Sequence, residues 1–323
     1  MNHCISIADL TRDDIEQLLE RAASFQGIAD REIKKVPALR GRTVLTLFYE
    51  ASTRTRSSFE LAAKRLSADT VSFAASGSSV EKGESLKDTV LTLAAHSPDA
   101  IVVRAPWAGT PDLVSQWTDA AIINAGDGKR EHPTQALLDL FTMRQQLGAD
   151  LAGRSVWIVG DVAHSRVARS LIRALVLTGV HVTVCGPPTL IPRDIATLGC
   201  EVTFDISGIS GADVVYTLRL QHERMTAAGL LPSLGEYAAR YQVNRQRLSP
   251  HQVVMHPGPV NRGVEMSGEV VDSPQAVITM QVKAGVVVRM AVLYELLAGN
   301  RTTASTTAAP RAAATPLAQE ATA

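Results

Sequence analysis

A series of short apolar runs constrains the fold of this chain more than any other feature. The runs are rich in β-branched residues, do not alternate with polar residues and are separated by helical patterns; they occupy residues 43–49, 70–74, 100–105, 120–125, 155–160, 181–186, 201–205, 212–218 and 252–257. Unalternating strands are typical of parallel sheets whose two faces are both covered by crossover helices. The sequence therefore predicts an α/β protein of two doubly wound domains with parallel sheets covered by helices on both faces.

The alternation of strands and helices is interrupted near residues 141–153, which predicts a boundary between two domains. A chain of 323 residues, 46% of them hydrophobic, is long enough for two cores of ordinary size. We expect one domain at 1–142 and another at 143–285. A strongly apolar segment at 286–300 predicts a final helix that packs on a domain, and the Ala/Thr/Pro-rich segment 301–323 predicts a disordered tail.

The charge balance argues against several classes of partner. Thirty-two Lys and Arg balance 32 Asp and Glu, so any anion must be bound by a local cluster. The N-terminal segment lacks the apolar core of a signal peptide, and no run approaches the roughly 20 apolar residues of a membrane span. Cys4, Cys185 and Cys200 are widely spaced, which favours buried free thiols. We expect a soluble cytoplasmic protein that binds neither nucleic acid nor membrane.

Hydrogen-bond donors are concentrated at residues 52–58, between a predicted strand and a predicted helix. At a helix N-terminus the first N–H groups have no intrahelical acceptor and the helix dipole is positive, so an anion is favoured there. Ser/Thr hydroxyls and the fork of Arg54 add directed donors. The pattern predicts a phosphate site. The alternative is a hydroxyl that only caps the helix, with arginines paired to Glu60 and other surface carboxylates.

A second candidate site lies in the stretch 124–141, where a turn-rich approach leads to His132 and Pro133 suits the first position of a helix. Gln135 then lies on the same helical edge as His132. The alternative is a histidine that only caps the helix; a metal site is disfavoured because no second ligand follows at i+4. The polar loop 77–85 carries Lys82, although such loops are usually only mobile surface.

Cations also follow the strands of the second half. Arg166 lies beyond the run 155–160, and Arg219 and Gln221 follow the run 212–218, so these residues could clamp a small dianion. Each arginine could equally be a surface ion-pair partner. The segment after residue 159 lacks a GxGxxG pattern, which disfavours dinucleotide binding. The turn at 255–263 has two prolines around a glycine, and such a turn either presents carbonyls to a ligand amide or is only rigid.

Six motifs in consistent order resemble the catalytic chains of the aspartate carbamoyltransferase family over about residues 3–300. They are FYEASTRTRSSFE, SVEKGES, NAGDGKREHPTQALLDL, GDVAHSRVARS, LRLQHERM and HPGPVNRGVE. Ornithine carbamoyltransferases share the STRTR-type turn and the HPxQ motif but typically carry an HCLP segment and an SMG loop. Here the corresponding segment is HPGP and no SMG occurs.

The resemblance implies a role for each matching residue. In a carbamoyl phosphate-binding first domain, the phosphate would be held by Ser52, Thr53, Arg54 and Thr55. The carbonyl oxygen would be faced by Arg104 and His132 with Thr55, and the amide by Gln135 and the carbonyls around Gly258 and Pro259. The carboxylates of L-aspartate would be bound in the second domain by Arg166, Arg219 and Gln221. The neighbouring subunit of a homotrimer would add Ser78 and Lys82, and the catalytic set would be Arg54, Arg104, His132 and Lys82.

The implied reaction is carbamoyl transfer from carbamoyl phosphate to L-aspartate in de novo pyrimidine (UMP) biosynthesis, without a metal or cofactor. The resemblance also implies that the final helix packs on the first domain, and it leaves open a dodecamer with regulatory or dihydroorotase-like chains. Three alternatives remain: an ornithine or other amino-acid carbamoyltransferase, a catalytically idle homologue that acts as a binding or scaffold subunit, and a nicotinamide oxidoreductase.

Overall fold

The computed structural model describes residues 1–74, 83–221 and 233–298 of the chain. In the first half the elements are α1 (Arg12–Ala29), β1 (Thr43–Phe48), α2 (Thr53–Arg65), β2 (Asp69–Ala74), α3 (Leu86–Ala94), β3 (Ala100–Ala105), α4 (Thr110–Ser115), β4 (Ala121–Asp127) and α5 (Pro133–Leu147). In the second half they are β5 (Ser155–Val159), α6 (Arg166–Leu177), β6 (His181–Cys185), β7 (Glu201–Thr203), β8 (Val214–Thr217), α7 (Leu234–Tyr241), β9 (Val253–Met255), α8 (Gly268–Val271) and α9 (Ile278–Leu297). Short 3-10 helices lie in the connections at Ile7–Asp9, Pro37–Leu39, Pro188–Leu190, Ile195–Leu198, Ser207–Gly211 and Arg245–Arg247.

The strands form two sheets, and every strand pair is parallel. The first sheet has the order β2-β1-β3-β4 and the second has the order β7-β6-β5-β8-β9. Val44 of β1 is in register with Thr70 of β2 on one side and Ala100 of β3 on the other. Each predicted apolar run forms one of these strands, and the predicted α/β fold class is confirmed.

Both faces of the first sheet are covered, which explains why its strands do not alternate. Ile101, Val102 and Val103 are successive residues of β3, so their side chains point to opposite faces, yet all three are 0% exposed. Ile101 and Val103 pack into one apolar cluster, whereas Val102 packs into another. The second of these clusters continues into the other half of the chain, where it includes Ile158 of β5.

A capping box forms the start of the helix α1. Thr11 is its N-cap, and its hydroxyl accepts a hydrogen bond from the N–H of Asp14 while the Asp14 carboxylate accepts one from the N–H of Thr11. This reciprocal capping box satisfies two N–H groups that have no intrahelical acceptor.

The apolar helix α9 packs against α1, α2 and α5, all of which belong to the first half of the chain. It begins at Ile278, with Val277 as its N-cap, which is earlier than the predicted start at residue 286. Its buried positions surround the helix, as expected for a segment enclosed by other elements. The predicted tail at 301–323 lies outside the described residues.

The three cysteines are buried and free, as the sequence predicts. Burial raises the pKa of the Cys4 thiol to about 12, so that group stays protonated at neutral pH. None of the described helices is both long enough and apolar enough to cross a membrane.

Candidate active site

A cavity of about 430 Å³ lies between the two sheets, at the carboxyl ends of their strands. Its lining includes every described residue that the sequence analysis assigned to a site: Ser52, Thr53, Arg54, Thr55, Arg104, His132, Gln135, Arg166, Arg219, Gln221, Gly258 and Pro259. Ser78 and Lys82 fall outside the described residues. Residues as far apart in the sequence as Ser52 and Pro259 therefore meet in one place.

The first turn of α2 forms one wall of the cavity. Ser52 is the N-cap in extended conformation, but its side chain makes no capping hydrogen bond. Glu60 accepts a hydrogen bond from the Ser72 hydroxyl at 2.7 Å. The hydroxyls at this helix start therefore line the cavity instead of capping the helix. The N–H groups of the first turn, which have no intrahelical acceptor, lie beside them.

Arg54 lies against the turn that contains Gly258. A Cβ atom added to Gly258 would lie 3.0 Å from the Arg54 guanidinium carbon, and the backbone there has a φ of +66°, which favours glycine. Burial, and next the positive charge of Arg219, lower the pKa of Arg54. A buried guanidinium with a second cation nearby is a site where an added anion is stabilised.

Glu50 joins the two halves of the cavity. Its Oε2 lies 2.7 Å from Nη2 of Arg166 and 3.3 Å from Nε of Arg104. Arg104 also donates to the carbonyl of Ala125 at 3.0 Å, and Arg166 donates to the carbonyl of Gly128 at 3.2 Å. These contacts hold an arginine from β3 and the first residue of α6 on either side of one carboxylate.

His132 presents a neutral ring to the cavity. Its main-chain N–H donates to the hydroxyl of Ser170 on α6 at 2.8 Å, and that hydroxyl donates to Glu131. Burial, and next the charges of Arg104 and Arg166, hold the pKa of His132 well below its usual value. A neutral imidazole carries one N–H, so His132 can donate a hydrogen bond without carrying charge. It makes no side-chain cap to α5, which argues against a capping role.

A buried carboxylate that sequence reasoning missed lies behind the cavity. Asp139 accepts hydrogen bonds from Gln135, from Gln281 of α9 and from the Tyr216 hydroxyl of β8. Burial raises the pKa of Asp139 to about 7, although these hydrogen bonds and the charge of Arg289 oppose the rise. The sequence signal at position 139 is a carboxylate inside the apolar run of α5.

Arg289 is a second residue that the sequence analysis missed. It is 4% exposed on α9, it lines the cavity, and its Nη1 donates to the Ser58 hydroxyl at 2.8 Å. Burial lowers the pKa of Arg289 to about 10, so the side chain remains charged at neutral pH. A cation inside the apolar stretch 286–293 is the sequence signal that could have found it, because a charge is seldom buried without a function or a partner.

The electrostatic character of the cavity is strongly positive. Among the described residues that line it, the arginines are Arg54, Arg104, Arg166, Arg219 and Arg289, and the carboxylate is Glu50. Such a lining suits a ligand or pair of ligands with several negative charges. Within the ranges 1–74, 83–221 and 233–298, no group of His, Cys, Asp and Glu side chains is arranged to hold a metal ion.

Two family models match consecutive parts of the chain. The model described as aspartate/ornithine carbamoyltransferase, carbamoyl-P binding domain, matches residues 2–145, and the model of the Asp/Orn binding domain matches residues 152–296. An aspartate carbamoyltransferase catalytic subunit from Acidothermus cellulolyticus is 53% identical over 97% of this chain and 98% of its own length. One from Salinispora arenicola is 55% identical over 93% of this chain and 99% of its own length.

Solved structures agree with the sequence relatives. Aspartate transcarbamoylase from Trypanosoma cruzi in complex with N-(phosphonacetyl)-L-aspartic acid has a TM-score of 0.83 and 34% identity, with coverage of 92% of this chain and 96% of that one. The same enzyme with carbamoyl phosphate and aspartate has a TM-score of 0.82 and 33% identity, with coverage of 92% and 97%. The catalytic subunit of M. jannaschii aspartate transcarbamoylase has a TM-score of 0.82 and 34% identity, with coverage of 94% and 100%.

The raised pKa of Asp139 predicts a pH-dependent difference in stability between the wild type and Asp139→Asn. The folded-state pKa of about 7 exceeds the unfolded value of 3.8. Between these pH values the carboxyl group ionises in the unfolded wild type but stays protonated in the folded one, so the wild type loses stability as the pH rises. Asn cannot ionise. The free energy of unfolding of Asp139→Asn relative to wild type should therefore rise from pH 5 to pH 8, by on the order of a few kcal/mol. Denaturant titrations at equal protein concentration measure it, and a difference that is constant with pH would contradict the assignment.

Proposed function

The chain belongs to the aspartate/ornithine carbamoyltransferase family, and we propose that it transfers the carbamoyl group of carbamoyl phosphate to L-aspartate. The products are N-carbamoyl-L-aspartate and inorganic phosphate. The observation that carries this proposal is the single cavity in which the arginines of both sheets meet around one carboxylate. Relatives above 50% identity that bear the aspartate name support aspartate over ornithine as the acceptor.

The first half of the chain would bind carbamoyl phosphate. Ser52, Thr53 and Thr55, with Arg54, would hold its phosphate at the start of α2, where the helix dipole favours an anion. Arg104 and His132 would donate to the carbonyl oxygen. The amide would meet Gln135 and the carbonyls of the turn at Gly258 and Pro259.

The second half would bind L-aspartate. Arg166 and Arg219 each follow a central strand of the second sheet and would take its two carboxylates, with Gln221 beside them. Arginine suits this role because its planar fork matches a carboxylate. Lys82 and Ser78 would arrive from a neighbouring subunit, which the sequence resemblance supports.

The mechanism follows from the charges. The neutral α-amine of aspartate attacks the carbamoyl carbon, the new C–N bond forms, negative charge builds on the carbonyl oxygen and the C–O bond to phosphate breaks. Arg54, Arg104 and the neutral His132 would donate to the oxygens where charge develops, and the departing phosphate takes the amine proton. Binding energy from the arginines offsets the mutual repulsion of two anionic substrates and places them together.

We expect a carbamoyl phosphate-binding domain at 1–142 with the final helix packed on it, an aspartate-binding domain at 143–285, and a homotrimer with shared active sites. The reaction belongs to pyrimidine biosynthesis, and we expect it in the cytoplasm. The contacts of α9 with α1, α2 and α5 support the assignment of that helix to the first domain.

A direct assay tests the proposed function. The purified chain, incubated with carbamoyl phosphate and either L-aspartate or L-ornithine, should form N-carbamoyl-L-aspartate with aspartate and release phosphate stoichiometrically. It should form no citrulline with ornithine. Citrulline formation at a comparable rate would instead establish the ornithine alternative, and no turnover with either acceptor would support an idle homologue.

The close approach of Arg54 to Gly258 predicts a selective effect of Gly258→Ala on phosphate binding. The new Cβ would push the guanidinium away, so the affinity for inorganic phosphate should fall by about tenfold, the loss of one charge-assisted hydrogen bond. Gly263→Ala is the matched control, because Gly263 also has a positive φ but has open space where its Cβ would lie. Isothermal titration calorimetry measures both; equal losses in the two variants would mean that backbone strain is responsible.

Shared sites predict that two inactive variants restore activity when they are mixed. Lys82→Ala would remove a side chain that one subunit contributes to the site of its neighbour. Arg54→Ala would remove a side chain that each subunit contributes to its own site. Mixed trimers then contain some sites with neither change. Dissociation and reassembly of the two variants should recover a fraction of wild-type turnover, whereas reassembly of either alone should not. No recovery would contradict sharing.

A further inference from the structure

Asp139 connects two polar elements of the cavity wall from behind. It is 0% exposed, whereas Gln135 and Gln281 both line the cavity. The Oδ1 atom of Asp139 accepts a hydrogen bond from Nε2 of Gln135 at 3.1 Å and one from Nε2 of Gln281 at 2.7 Å. Its Oδ2 atom accepts one from the hydroxyl of Tyr216 at 2.7 Å.

The orientation of the Gln281 amide is fixed by its second partner. The main-chain N–H of His256 donates to Oε1 of Gln281 at 3.0 Å, so Oε1 is the acceptor end of that side chain and Nε2 is the end that faces Asp139. The Asp139 Oδ1 atom therefore remains an acceptor, whether or not a proton is bound at Oδ2 beside Tyr216.

The same oxygen then fixes the orientation of Gln135. An amide that contacts an acceptor must contact it through its NH₂ group, because two oxygens that face each other in a buried site would repel and leave both without a donor. The Oε1 atom of Gln135 is consequently left for the cavity. An amide oxygen at this place accepts hydrogen bonds and cannot donate them.

The Asp139 carboxylate is also connected, through Gln281, to the turn at Gly258. Gln281 accepts the main-chain N–H of His256, and Nδ1 of His256 accepts the N–H of Gly258 at 2.8 Å. Gln135 and the turn at Gly258 are the two elements proposed above to meet the carbamoyl amide. Of these two elements, Asp139 contacts only Gln135 directly. The turn is held by Gln281, whose Oε1 accepts from the His256 N–H independently of Asp139.

We propose that Asp139 is a positioning residue that orients the Gln135 amide so that its oxygen accepts from the acyl group, which makes the site selective for an acyl phosphate that carries an N–H donor. The inference rests on the proposed function. A site built to pair with an N–H group discriminates strongly against an analogue that lacks it, because its buried acceptor is then left unpaired. Carbamoyl phosphate carries this group, whereas acetyl phosphate carries a methyl group in its place.

The test compares three ligands by isothermal titration calorimetry. Phosphonoacetamide carries an amide NH₂, acetonylphosphonate carries a methyl group at the same place, and inorganic phosphate has no acyl group. Asp139→Leu removes the acceptor, whereas Asp139→Asn is the matched control that keeps a carbonyl-type oxygen for Gln135 and Gln281.

Asp139→Leu should lose phosphonoacetamide affinity by about five- to tenfold, the effect of one lost hydrogen bond. Its affinities for acetonylphosphonate and phosphate should stay at the wild-type values, and Asp139→Asn should bind all three ligands like the wild type. In a Gln135→Leu background, Asp139→Leu should cause no further loss, because Asp139 acts through Gln135. Should Asp139→Leu not fold, Asp139→Leu combined with Tyr216→Phe replaces it. Tyr216→Phe removes the hydroxyl that would otherwise be buried without an acceptor.

Three results would overturn the inference: an equal loss for all three ligands, an unchanged preference for the amide, or a further loss in the Gln135→Leu background. The first would show a purely structural role. If the wild type and Asp139→Leu prefer phosphonoacetamide over acetonylphosphonate to the same extent, the inference is wrong but the proposed function stands. A wild-type protein that binds neither phosphonate would overturn the proposed function as well.

Discussion

The positive charge concentrated between the two sheets is the feature on which the rest of this site depends. Arg104 and Arg166 would repel each other across the cavity, and Glu50 lies between them with one oxygen close to both. Each half of the chain therefore contributes a cation, and a shared anion holds the halves in place. An excess of positive charge remains. Burial first, and then this excess charge, lower the pKa values of Arg54 and His132. Anionic substrates offset this excess charge, so the attraction that binds them also places them next to each other.

Sheet topology determines where this charge collects. In the first sheet the strand order reverses between β1 and β3, and in the second it reverses between β5 and β8. Crevices outside the carboxyl ends of strands at such switch points are where open α/β sheets bind ligands. The Ser52 turn follows β1 and Arg104 lies at the end of β3, whereas Arg166 follows β5 and Arg219 follows β8. The two crevices face a common cavity, which suits a reaction between two small molecules.

Much of this arrangement could be predicted from the sequence, because the signals for it lie in short, continuous stretches of the chain. The strands appear as unalternating apolar runs, and Ser52, His132 and Arg166 lie directly at the starts of helices that follow them. The supporting residues could not be predicted, because their partners are distant in the chain: Glu50 and Arg166 are 116 residues apart, and Asp139 and Gln281 are 142 apart. The Asp139–Gln281 pair forms because α9 returns to the first half of the chain, and the Glu50–Arg166 pair forms because the ends of β1 and β5 meet at one cavity. A charge inside an apolar helical stretch signals a buried polar group, but it does not identify the partners of that group.

The most direct test of paired cationic pockets is a crystal structure of the chain with a bisubstrate mimic that carries a phosphonate and two carboxylates. The phosphonate should lie at the helix start formed by Ser52 to Thr55, and the carboxylates should contact Arg166 and Arg219 on the opposite wall. A phosphonate bound anywhere else, or carboxylates that avoid both of these arginines, would contradict the electrostatic origin of the site.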